Sequence, residues 1–119
     1  MTLKDIADEL VAGCRENRTI ANLDKLYAED AVSVEASDPM GKGRETHGRD
    51  GIRGKHEWWE ATAQMHSASV SDPMLHGDDK FAVIFEMDVT MPESGRMQMK
   101  EVAIYHVAGG KIVREEFFY

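Results

Sequence analysis

With 119 residues, 42% of them hydrophobic and 30% charged, the chain has the length and composition of one globular domain that can bury a core without staples. Its formal charge is −8 and no window gathers Lys and Arg into a patch, which argues against nucleic acid and anionic membrane surfaces as partners. Cys14 stands alone, so an intrachain disulfide and a thiolate zinc site are excluded and a reducing, cytoplasmic setting is expected.

The first segment spaces Leu3, Ile6, Ala7, Leu10, Val11 and Cys14 as one face of a helix, with Thr2 as its N-cap. Asp5, Asp8 and Glu9 interrupt the apolar residues, so the segment reads as neither a signal peptide nor a membrane span. After ENRT a second, short helix is expected through Leu23, Leu26 and Tyr27, closed by AED. AVSVEA alternates and is β-branched, as a strand would be, and SDPMGKGRETHG reads as a loop. A third helix is expected from near Arg49, with Asp50 at the positive end of its dipole and Ile52, Lys55, Trp59 and Ala63 along one stripe.

From there the period changes to two. MHSASVSDPMLHG, KFAVIFEMDVTM, RMQMKEVAIYHV and KIVREEFFY are separated by GDD, PESG and AGG, each a credible hairpin connection. Helices followed by a strand meander predict an α+β domain spanning residues 1–119.

LYAEDAVSVEAS, GRDGIRGKHEWW, FAVIFEMDV and EVAIYHVAGGKIVREEFFY resemble the NTF2-like superfamily, which includes SnoaL-type polyketide cyclases and ketosteroid isomerase. The similarity runs over nearly the whole chain and is greatest to a SnoaL-like group sharing the Trp pair and the GKIVREEFFY ending. It implies a cone: three N-terminal helices packed on a curved, mainly antiparallel mixed β-sheet that encloses a pocket. It also implies a homodimer, and the expected surface is the outer sheet face with Val102, Ile104, Ile112 and Phe118.

Strand parity, aligned on the isomerase ending, then selects what faces the interior. The last strand turns Val113, Glu115, Phe117 and Tyr119 inward and leaves Glu116 outside with Arg114; the strand before it turns Met97, Met99, Glu101, Ala103 and Tyr105 inward. Ala31, Ser33 and Glu35 share a face, His66 begins the second strand, and Lys55 and Trp59 point to the same interior from the third helix. The remaining histidines fall on loops or outer faces. The candidate catalytic set is therefore Glu35, Glu101, Glu115, Lys55 and His66, walled by Trp59, Met99, Tyr105, Phe117 and Tyr119. Several carboxylates in one enclosed place raise each other's pKa and suit acid and base chemistry near neutrality.

Glu35 aligns with the base of the isomerases; Asp38, in DPMG, is the rival. Val11 and Ala103 occupy the positions where the resemblance would put oxyanion-hole donors, which argues against steroid isomerisation. No phosphate-binding glycine loop, dinucleotide fingerprint or histidine ligand spacing is present, so no cofactor and no metal are expected. Two functions remain: a cofactor-independent isomerase, lyase or cyclase acting on a small apolar carbonyl compound, or a non-catalytic dimeric ligand-binding module whose carboxylates form a structural network.

Overall fold

A computed structural model describes residues 1–119. Helix α1, Leu3–Arg15, starts with a capping box in which the Thr2 hydroxyl accepts from the Asp5 backbone N–H and the Asp5 side chain accepts from that of Thr2. Its stripe of Ile6, Ala7, Leu10 and Val11 is buried. Helix α2, Thr19–Leu26, packs so closely that a Cβ at Gly13 would lie 2.2 Å from Asn22 Nδ2, which is why residue 13 has no side chain. Helix α3 is Arg49–Thr62.

Seven strands form one sheet. They are β1 Tyr27–Val34, β2 Glu45–His47, β3 Gln64–Val70, β4 Met74–His76, β5 Lys80–Met91, β6 Gly95–Ala108 and β7 Lys111–Phe118. The order is β2-β1-β7-β6-β5-β3, with β4 sharing the β5 edge; β1 and β7 run parallel and every other pair is antiparallel. This is the α+β architecture expected. Two of the strands are additional: β2 lies within the expected loop, and the MHSASV…MLH stretch divides into β3 and β4.

Between β6 and β7, Gly109 and Gly110 both have positive φ, 59° and 75°, and Ala108 pairs with Lys111 across them. That is the two-residue hairpin whose twist matches the flanking strands. The core gathers residues of α1, α2 and α3 with Tyr27, Ala31, Phe81, Val83, Ala103, Tyr105 and Ile112 of the sheet.

Two expectations are corrected here. Tyr27 does not extend α2 but opens β1, so YAED belongs to the strand. Ile112 is not on the outer face: it is fully buried in the core. The cause is a bulge, since Ile112 pairs with Val107 and Arg114 with His106, leaving Val113 as the extra residue. The inserted residue reverses parity, so Ile112 and Glu115 both point inward.

Candidate functional site

The parallel pairing of β1 and β7 sets Ser33 opposite Glu115, and both are buried. The Glu115 carboxylate accepts a hydrogen bond from Tyr27 Oη at 2.5 Å. Burial nevertheless dominates and raises the Glu115 pKa above the usual carboxylate range, with the Tyr27 and Ser33 hydroxyls and Lys55 opposing the rise. The Tyr27 hydroxyl is likewise pushed well up, first by burial and then by the Glu115 charge.

Lys55 enters from α3, within one turn of the fully buried Ile52. Its ammonium donates to Ser33 Oγ at 2.8 Å and to Glu35 Oε1 at 2.5 Å, and lies 5.5 Å from the centroid of the Phe117 ring. The other Glu35 oxygen accepts from Tyr119 Oη at 3.1 Å. Glu35 lies just past the end of β1, anchored by its backbone N–H on the Arg44 carbonyl at 2.8 Å.

Glu101, opposite Phe85 on β6, is half-buried and receives no hydrogen bond from the chain. Its pKa is raised to about 7, chiefly by burial, then by the charges of Glu35 and Glu115, against the pull of Lys55. A carboxyl titrating there is placed to give or take a proton near neutrality. Four residues along on the same face, Tyr105 is buried and stacked on Phe81, with centroids 4.8 Å apart and planes 14° apart. Burial, and then the Glu115 charge, holds the Tyr105 hydroxyl well above its ordinary pKa.

Glu35, Glu101, Glu115 and Lys55 therefore come together, with Phe117 and Tyr105 beside them. Met99 lies half-buried opposite Met87 on the same sheet face, and Trp59 is half-buried on α3 while Trp58 is 52% exposed. Tyr119 reaches Glu35 from the rim, for it is 55% exposed and does not line an interior.

His66 does not join the group. It is the extra residue of a bulge between Met65 and Ser67, is exposed, and its Nε2 sits 2.7 Å from Thr90 Oγ1. His56 corrects the expectation in the other direction. It lies largely buried on α3 near Glu35, and burial, then the neighbouring Lys55 charge, lowers its pKa. The Asp38 carboxylate is occupied within its own loop, accepting from the backbone N–H groups of Lys42 and Gly43 at 2.9 and 2.8 Å.

Tyr27 is the site residue that sequence reading missed. The signal was an aromatic at the start of YAED, legible only if the strand is begun there. Val11 and Ala103 are buried and apolar, with no side-chain donor to offer.

Two surface concavities lie away from this cluster. One, of about 580 Å³, lies along β3, β5 and β6 among Ser67, Ser69, Glu86, Asp88, Gln98 and Lys100 and also takes in Met87 and Met99; the other, of about 390 Å³, lies among Met74, Leu75, Phe81 and Ile104.

A three-helix layer on a curled, mostly antiparallel sheet, with a polar cluster on its concave side, defines the NTF2-like class of α+β cones. The chain belongs to the SnoaL-like domain family, which matches residues 1–119. It is 36% identical to a Mesorhizobium loti protein described both as a SnoaL-like polyketide cyclase and as a carbohydrate phosphatase, over 100% of each chain, with a TM-score of 0.90. The fold is shared with an NTF2-like protein of unknown function from Burkholderia pseudomallei (16% identity, TM-score 0.77, 100% of this chain and 92% of that one). It is shared also with a Bacillus subtilis protein assigned as an isomerase (17% identity, TM-score 0.72, 95% and 82%). No curated protein matches the chain in sequence. No helix is long and apolar enough to cross a membrane.

Proposed function

We propose that the protein is a cofactor-independent isomerase, lyase or cyclase acting on a small apolar carbonyl compound. Glu35 is the base, Glu101 the acid or hydrogen-bond donor, and Lys55 the ion-pair partner that orients Glu35. The single observation that carries this reading is Glu101: among the clustered carboxyls it alone has no donor within the protein, so its hydrogen-bonding capacity is free for a ligand. Phe85, Met99 and Phe117 supply apolar surface on its side of the sheet.

The test is proton exchange. Small ketones and hydroxyketones incubated in D2O should exchange α-protons faster with the protein than without it, and Glu35→Gln should slow that exchange by about 10²–10⁴-fold. The rate should fall above pH about 7 as Glu101 deprotonates, a fall that Glu101→Gln abolishes. Exchange of equal rate in wild type and both variants would sink the proposal.

A second reading, the non-catalytic binding module, is favoured by the internal satisfaction of Glu35 and Glu115. It predicts ligand-induced NMR shifts that persist in Glu35→Gln, with no turnover.

In either case a homodimer through the outer sheet face is proposed, because Val102 and Ile104 share that face with Phe118, which is 49% exposed. Sedimentation should give twice the chain mass, and Phe118→Asp should give the monomer; a monomeric wild type overturns it. The lone thiol of Cys14 supports a cytoplasmic setting.

A further inference from the structure

The polar groups of the site fall along one line. Tyr27 donates to Glu115, Ser33 lies opposite Glu115 on the paired strand, Lys55 donates to Ser33 and to Glu35, and Tyr119 donates to Glu35. The line starts at a tyrosine that is 4% exposed and ends at one that is 55% exposed. Its middle link is Ser33, fully buried, which has no charge of its own, accepts from the Lys55 ammonium and lies across from buried Glu115.

We propose that Ser33 is a positioning residue that couples Glu35 to Glu115: its hydroxyl holds the Lys55 ammonium beside both carboxyls, so that when Glu35 takes up a proton the Lys55 charge acts more strongly on Glu115. This rests on the reading of Glu35 as the base, and it assigns Ser33 a part that a merely space-filling core serine would not have.

The charged and titratable groups facing the link are Tyr27 and Glu35 from β1 and its end, Lys55 and, beside Glu35, His56 from α3, Glu101 and Tyr105 from β6, and Cys14 from α1. Lys55 is the cation among them, so its position adds an attractive route by which a change at Glu35 reaches Glu115. Glu35 also acts on Glu101 and Glu115 directly through space. That direct effect does not need the serine hydroxyl, which provides an internal control.

The experiment is a ¹³C-carboxyl NMR titration of the glutamates in the full chain, with Glu35→Gln standing for the protonated base. In the Ser33 background Glu35→Gln should lower the apparent pKa of Glu115 by about one unit and lower that of Glu101 as well. With Ser33→Ala the fall at Glu115 should shrink to less than half while the fall at Glu101 persists. Ser33→Thr keeps the hydroxyl and should restore the fall at Glu115. If Ser33→Ala does not fold, Ser33→Cys, similar in size and a weak donor, takes its place. A fall at Glu115 of the same size with and without the hydroxyl overturns the coupling, as does a Ser33→Thr protein that behaves like Ser33→Ala. The titration needs no substrate, so a protein that turns nothing over can pass it and an active enzyme can fail it.

Discussion

Glu115 and Glu101 sit on the same concave sheet face, one on β7 and one on β6, and they are kept in opposite ways. Glu115 lies under the helices, is 2% exposed, and is held by the Tyr27 hydroxyl, with Ser33 opposite it on β1. Glu101 lies on the long β5–β6 ribbon, half-buried, with neighbours that raise its pKa and none that donates to it. Burial alone therefore does not mark a functional carboxyl. A buried acid whose donors come from the fold is part of the structure, whereas a half-buried acid without donors retains bonding capacity for something else.

The largest effect should come from breaking the partnered side. Glu115→Ala leaves a cavity and strands the Tyr27 hydroxyl, and it should cost about 3 kcal/mol in urea unfolding. A cost below about 1 kcal/mol would erase the contrast between the two acids. Tyr27→Phe removes one donor and should cost about 1–2 kcal/mol by the same measurement.

On the other side the sign reverses. The folded-state pKa of Glu101 is raised to about 7 from an ordinary 4.5, so between those values the folded chain binds more protons than the unfolded one. Stability on its account is greatest below pH about 4.5 and declines as pH rises toward 7; the raised pKa of Glu115 acts in the same direction. Glu101→Gln should accordingly stabilise the protein by about 1 kcal/mol at pH 8, allowing for solvent screening, and by nothing measurable at pH 4. Thermal melts at the two pH values check it, and a destabilised Glu101→Gln protein at pH 8 would make Glu101 a structural acid like Glu115.

The smallest effect on stability is expected from Lys55→Met, because the ion pair with Glu35 is roughly one-third exposed on each side. Unfolding should shift by less than about 0.5 kcal/mol. The same change removes the one charge that lowers the Glu101 pKa, so NMR titration should find Glu101 above about 7.

Much of this arrangement was legible from periodicity. Alternation along RMQMKEVAIYHV put Glu101 and Tyr105 on one face, and the helical stripe Ile52, Lys55, Trp59 aimed the lysine toward them. The same reasoning failed at Ile112 and His66, and in both places for one reason. Each lies at a bulge, where a single extra residue shifts the register against the neighbouring strand, and nothing in the local pattern of the chain announces it. Tyr27 was misread because its spacing from Leu23 suits a helix, while its place in β1 follows from pairing with Ile112 on the distant β7.

By itself, then, the sequence determined the three helices, the long strands and which acids share a face, since these follow from local spacing and side-chain parity. The resemblance to the isomerase ending selected the inward face. Only the tertiary structure decided which acid is satisfied and which is free. The donors to Glu115 and Glu35 come from residues as far as 88 positions away, brought into reach by the β1–β7 pairing and the seating of α3. Hydrogen-bond geometry of that range is a property of packing between elements, and no spacing within one element encodes it.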